Sequence, residues 1–186
     1  MPTADDIDAS NGSFASKTGV RANERFTIAV VRTLDDVAAT ARLFQAYAES
    51  LDIDLAYQDF EAELASLPGA YAPPAGTLLL ARDRDGQPVG CVGLRPNVVD
   101  RCCEMKRLYV APAGRGAGLG RQLVASVLQV AADIGNREVL LDTLPDMVAA
   151  TSLYRQCGFE PIPAYYDSPV SGTIFMRCIL APPKIA

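Results

Sequence analysis

The sequence predicts a single-domain mixed α/β (α+β) protein whose central mixed β-sheet is flanked by helices. Three observations carry that prediction. Short runs of β-branched and aliphatic residues alternate with amphipathic stretches in the order β-α-α-β-β-β-α-β-α-β-β. The turn Asp83-Arg-Asp-Gly86 joins two of those runs, and its Asp-Gly step favours the positive φ of an antiparallel hairpin. From Cys102 to Asp142 a strand, a long amphipathic helix and a short apolar strand follow one another, the pattern of a β-α-β crossover. With 186 residues, 49% of them apolar and 21% charged, the chain has the core of one globular domain.

Residues 1–24 are polar and show no sustained periodicity, so they are expected as a mobile N-terminal tail before a domain at 25–186. Phe26 to Arg32 reads as the first strand. Thr33 then caps a helix carrying Asp35 and Asp36 in its first turn and apolar positions at Val37, Ala41, Phe44 and Ala48. A short loop, Leu51 to Leu55, leads to a second helix from Tyr57 to Leu67, which Pro68-Gly69 ends. Thr77–Arg82 and Pro88–Arg95 are the strands of the hairpin. Cys102 to Ala111 is the next strand, followed by a glycine-rich loop and a helix whose apolar residues recur at Leu119, Leu123, Val127 and Val130. Glu138 to Asp142 is a buried strand. Thr143-Leu-Pro-Asp146 has a capping pattern and is expected to open a helix that Gly158 ends. An irregular stretch from Pro161 precedes a last strand, Gly172 to Leu180.

Composition excludes several classes of function. Twenty-two acidic against seventeen basic residues give a net charge of −5, unlike the basic footprint of a nucleic-acid binder. The chain has no histidine, which removes Ser-His and Cys-His nucleophilic machinery and most zinc sites. Any general base is then a carboxylate, tyrosine, cysteine, lysine or water. The five cysteines contain no C-x-x-C pair and read as reduced core residues, with no metal site. No apolar run approaches a membrane span and the first residues lack a signal-peptide pattern, so a soluble, cytoplasmic protein is expected.

The stretch with chemical content runs from Glu104 to Leu123. Gly114, Gly116, Gly118 and Gly120 separate a strand from a helix, so bare backbone N–H groups and a positive dipole end meet at one place. Such a helix start suits a phosphate or pyrophosphate. A P-loop would need Lys-Ser/Thr after the last glycine, where Arg121-Gln122 stands. The dinucleotide fingerprint would need a further glycine where Arg121 or Leu119 stands.

Arg115-x-x-Gly118-x-Gly120 after Leu108-Tyr109-Val110 resembles the acyl-coenzyme A pyrophosphate loop of the GCN5-related N-acetyltransferase (GNAT) family. Ala150-Thr-Ser-Leu-Tyr154-Arg-Gln-Cys-Gly158-Phe159 is similar to the segment that lines the thioester in that family, and Met147 stands where relatives often carry Asn. The element order from Phe26 to Leu180 also agrees. The resemblance implies a GNAT-like fold and an N-acetyltransferase domain at 25–186. It implies acetyl-coenzyme A as co-substrate without a metal, and direct acetyl transfer to a primary amine of a small molecule or a peptide. It also implies cofactor contacts from Leu108, Tyr109, Val110, Arg115, Gly116, Ala117, Gly118, Leu119, Gly120 and Arg121.

Tyr154 is then the donor to the departing thiolate, and Glu104 the candidate base, six residues before Val110 and on its face if the strand carries no bulge. A main-chain amide near Leu108 to Val110 is the expected oxyanion partner. Substrate-side candidates are Asp142 and Tyr166, among loop residues that also include Asp52, Asp54, Tyr165 and Asp167. Acids at that mouth suit a cationic amine. Neither nucleic acid nor membrane is an expected partner, and a homodimer is left open. The alternative is a non-catalytic acyl-coenzyme A-binding or sensing domain, which the loop alone supports equally well.

Overall fold

A computed structural model describes residues 25–51 and 53–181. The expected mobile tail at 1–24 and the candidate Asp52 lie outside the described residues. Seven strands form one mixed sheet: β1 (Thr27–Val30), β2 (Thr77–Arg82), β3 (Pro88–Pro96), β4 (Cys102–Val110), β5 (Glu138–Thr143), β6 (Glu160–Ile162) and β7 (Ile174–Ile179). Their order across the sheet is β1-β2-β3-β4-β5-β7-β6. Among the described strands only β4 and β5 run parallel, joined by α3 (Leu119–Asp133), as the crossover pattern predicts.

Two apolar layers cover the sheet. Helix α1 (Leu34–Glu49) buries Ala39, Leu43 and Phe44 against Leu78, Leu80 and Cys91, and α2 (Phe60–Ser66) adds Phe60 and Leu64. On the other face α3 buries Leu119, Leu123, Val124 and Val127 against Leu79, Val92, Leu94 and Met105. There α4 (Val148–Gln156) contributes Tyr154. The apolar spacing read from the α3 sequence is thus the spacing of its buried face. Thr33 caps α1 with a full capping box, its hydroxyl accepting from Asp36 N–H while the Asp36 carboxylate accepts from Thr33 N–H. Gly93 is set by close approach: a Cβ there would lie 2.5 Å from the ring of Tyr71, which packs flat on the strand.

Three local expectations are corrected. The second helix does not run from Tyr57; a 3₁₀ turn, Leu55–Gln58, comes first, and Asp59 at φ 53° breaks the chain direction before α2. Thr143 does not cap α4, because the β7 ladder claims it: Thr143 pairs with Ile174, and the helix starts at Val148. The stretch after Phe159 is not wholly irregular, since Glu160–Ile162 pairs with Arg177, Met176 and Phe175 as an edge strand.

Candidate functional site

The site begins where strand pairing fails. Main-chain pairing between β4 and β5 covers Cys102↔Glu138, Cys103↔Val139 and Glu104↔Leu140, and then stops. Strand β4 continues to Val110 and β5 to Thr143, so the two diverge. The cleft between them is lined by Met105, Lys106, Arg107 and Leu108 on one side and Leu141 to Leu144 on the other. Tyr47 reaches it from α1, and Met147 and Tyr154 from the α4 segment. The cleft therefore passes through the sheet and joins its two faces.

A β-bulge sets the phase of the β4 wall. Gly93 pairs with Lys106 but Cys91 pairs with Tyr109, so Arg107 and Leu108 together face one residue of β3. Cys103 and Met105 belong to the cluster under α3, and after the bulge it is Leu108 and Val110 that pack there. Glu104 and Val110 consequently lie on opposite faces, which corrects the expectation from an unbulged strand.

Arg107 has φ 58°, a left-handed conformation that costs a non-glycine residue about 1–3 kcal/mol. Its side chain supplies the compensation. Nε and Nη2 donate to the two Glu63 oxygens at 3.1 and 2.6 Å, and Nη1 donates to Gln58 Oε1 at 2.8 Å. The guanidinium also lies 5.1 Å from the centre of the Phe60 ring. Burial opposes the Glu63 charge, but the Arg107 hydrogen bonds outweigh it and hold the carboxyl below its usual range. Sequence reasoning did not single out Glu63 or Arg107. An arginine in the left-handed region leaves no local sequence signal.

The α1–α2 face of the cleft carries a buried charge network. Lys106 Nζ lies 2.6 Å from Asp142 Oδ1 and 3.8 Å from Glu104 Oε1, with all three side chains 6 to 8% exposed. Arg95 Nη2 is 2.6 Å from Glu104 Oε2, and the Tyr165 hydroxyl donates to Glu104 Oε1 at 2.7 Å. Glu104 is thus engaged at both oxygens, while Asp142, on β5 rather than on a loop, lines the cleft. Tyr165 and Tyr166 pack edge to face on Phe175, the cross-strand neighbour of Asp142, with centroids 5.0 Å from its ring. Burial first, and then the Glu104 charge, push the Tyr165 phenol above its usual range. Asp54 is occupied elsewhere, accepting from Ala56 N–H at 2.9 Å, and Asp167 is exposed.

On the α3–α4 face stands the glycine loop. Gly116 and Gly118 take φ 75° and 76°, and a Cβ at either would meet nothing within 4 Å. Both are needed for backbone conformation, and both present main chain to open space. The first bond of α3 runs from Gln122 N–H to Gly118 O, and no side chain caps the helix. The N–H groups of Leu119, Gly120 and Arg121 are therefore without intrahelical acceptors. Arg115 Nε donates to Val110 O at 3.0 Å, tying the loop to the end of β4, whereas Arg121 is exposed. Tyr154 lines the cleft on this face, and burial, followed by the charges of Tyr47 and Asp142, pushes its phenol well above the usual range. Thr143 Oγ1, in the cleft wall, is buried without a hydrogen-bond partner among the described residues.

An acyl-coenzyme A fits these residues: uncapped N–H groups and open backbone for a pyrophosphate and, among the described residues, a strand edge with no partner strand for an extended amide chain and an unpartnered hydroxyl beside it. Cysteine chemistry fits less well. Burial pushes the Cys102 thiol up to about 11 and the Cys103 thiol up to about 12, away from the thiolate form a nucleophile needs. Among the described residues no helix is long and apolar enough to cross a membrane.

Comparison with known proteins gives a consistent result. Residues 37–159 match the model of the acetyltransferase (GNAT) family. The chain is 38% identical over 151 residues to an uncharacterised N-acetyltransferase of Schizosaccharomyces pombe, covering 81% of this chain and 93% of that one. It is 33% identical over 111 residues to an aminoglycoside N(6′)-acetyltransferase type 1 of Stenotrophomonas maltophilia, covering 56% of this chain and 72% of that one. Among solved structures, a Klebsiella pneumoniae protein described as an acyl-CoA N-acyltransferase superposes with a TM-score of 0.66 at 26% identity, over 86% of this chain and 100% of that one. The family model spans more than half of the chain, and the S. pombe relative covers 81% of it at 38% identity, so the chain belongs to the GNAT acetyltransferase family.

Proposed function

We propose that this protein transfers the acetyl group of acetyl-coenzyme A directly to a primary amine. One observation carries the reading: the β4–β5 split joins a face built for an anionic, extended ligand to a face carrying charged side chains and aromatic rings. Acetyl-coenzyme A would supply the activated acyl group as a thioester. The N–H groups of residues 116–121 would take its pyrophosphate, with Arg115 and Arg121 flanking and the α3 dipole adding to the attraction. The unpaired edge of β4 at Leu108, Tyr109 and Val110 would hold the chain that links pyrophosphate to sulfur, and a main-chain amide there would stabilise the carbonyl oxygen as it gains charge.

Tyr154 donates toward the leaving sulfur. Its raised phenol stays protonated over the working pH range, so it acts as a hydrogen-bond donor that delivers the proton as charge develops. The amine enters from the α1–α2 face, beside Asp142 and the Tyr165–Tyr166 pair. Its proton passes to the carboxylate network that Glu104 anchors. The matched relatives carry N-acetyltransferase names, which supports a transferase over a binding module. The aminoglycoside enzyme among them suggests a small polar amine as acceptor.

Acetyl-coenzyme A at one hundred times its Kd is expected to stabilise the fold by about 2.7 kcal/mol. Gly118→Asp tests the loop cleanly. The Cβ has room and Asp tolerates left-handed backbone, so the fold persists while a carboxylate occupies the pyrophosphate position. The variant should lose the ligand-induced rise in melting temperature; a full rise would contradict the loop assignment. Free thiol should appear with acetyl-coenzyme A and at least one member of an amine panel. Stabilisation without thiol release from any amine would identify a binding module instead.

A further inference from the structure

The paired segment of β4 and β5 ends at Glu104↔Leu140, and two steps further that ladder would reach Lys106 and Asp142. There the main chains have parted, yet the side chains meet, Lys106 Nζ lying 2.6 Å from Asp142 Oδ1. The ion pair is a side-chain rung across the opening of the cleft. It is buried on the acceptor face, and it lines the same cleft as Tyr154 on the other face. Glu104 stands behind Lys106, both oxygens held by Arg95 and Tyr165, and it does not line the cleft. Of the two carboxylates that Lys106 touches, only Asp142 faces the space where an amine would meet a thioester.

Resting on the transferase reading above, we propose that Asp142 is the catalytic residue that accepts the acceptor amine's proton, and that Lys106 is the positioning residue that holds it. The atoms balance as follows. A neutral amine forms the C–N bond with its lone pair, and the N–H that becomes acidic passes its proton to the Asp142 carboxylate. The C–S bond breaks with its electron pair going to sulfur, which takes a proton from the Tyr154 hydroxyl. The proton on Asp142 then returns through the cleft to the Tyr154 oxygen, so each group ends as it began. Both groups line the same cleft, and the Asp142 charge helps to raise the Tyr154 phenol.

Titratable and charged groups surround Asp142 on several elements. They are Lys106, Glu104 and Arg107 from β4, Tyr154 from α4, Tyr47 from α1, and Tyr165 and Tyr166 from the segment before β7. Lys106 is the nearest cation, and its 2.6 Å contact aims the carboxylate across the opening. A rung with a purely structural role would set the width of the split without affecting how the rate depends on pH.

The test compares the parent chain with Asp142→Asn, Lys106→Met, Lys106→Arg and the double variant D142N/K106M. The double variant removes both charges, so no uncompensated buried ion threatens its folding. Two readouts are taken: the rise in melting temperature caused by acetyl-coenzyme A, and the rate of thiol release across pH with the best amine of the panel. The ligand-induced rise should match the parent in every variant, because the loop is untouched. Thiol release should fall on the order of 10²-fold or more in D142N and in D142N/K106M. Their rates should keep climbing with pH where the parent levels off, because hydroxide then replaces the missing base. K106M should lower kcat with little change in KM, and K106R should recover much of that loss. A double variant that keeps the parent's rate and pH profile overturns the assignment. So does an Asp142→Asn variant as active as the parent while Glu104→Gln is inactive, which would return the base to Glu104. A parent that binds acetyl-coenzyme A but releases no thiol refutes the transferase reading and this assignment with it.

Discussion

From Cys102 to Glu104, β4 is joined to β5 by main-chain pairing, and Cys103 and Val139 are fully buried beside it. From Met105 to Val110 the same strands diverge, and their walls carry an ion pair, a bulge and an orphan hydroxyl. In the closed half the two main chains pair in register, and Cys103, Val139 and Leu140 pack as buried side chains, with Glu104 the charged residue at the boundary. In the open half the β4 edge is left without a strand, and side chains bridge a gap that main chain does not. One pair of strands thus divides its labour along its length: burial at one end stabilises the fold, and unmet hydrogen-bonding capacity at the other is available to a ligand.

A substitution in each half should separate the two roles. In the open half, Tyr154→Phe keeps the ring and its packing beside Phe159 while removing the donor. Turnover should fall roughly 10²- to 10⁴-fold, with melting temperature and acetyl-coenzyme A binding close to the parent. An acyl donor with a more acidic leaving thiol should recover part of the loss. Equal slowness with both donors would make Tyr154 a positioning group, and full activity would leave it only a packing role. The effect in the closed half is smaller and of the other kind. Val139→Ala removes two methyl groups from a fully buried site and should cost about 2 kcal/mol, or roughly 4–8 °C in Tm for a chain of this size. Turnover per folded molecule should be unchanged. Loss of turnover in Val139→Ala without loss of stability would break the division.

Sequence reasoning reached the elements whose causes are local. The capping box at Thr33 and Asp36, the buried stripe of α3 and the glycine loop each depend on neighbouring residues, and each is where periodicity and spacing put it. What it missed depends on partners distant in the chain. Thr143 has the chemistry of a cap, but a ladder partner thirty-one residues on, Ile174, draws it into a strand. The bulge that separates Glu104 from Val110 carries Arg107, which Glu63 on α2 holds by a contact that spans 44 positions. Asp142 ends the strand read from Glu138, but only the fold shows that Lys106, 36 positions away, stands opposite it. A family resemblance marks Tyr154 and the loop as candidates, whereas the charge network around Glu104 carries no such mark.

Amide hydrogen exchange with and without acetyl-coenzyme A tests the account most directly, because it reads both halves in one molecule. The account predicts slowed exchange at residues 116–121 and along Leu108 to Val110, with Cys102 to Glu104 and Val139 unchanged. Protection spread evenly over the fold, or none at residues 116–121, would contradict it.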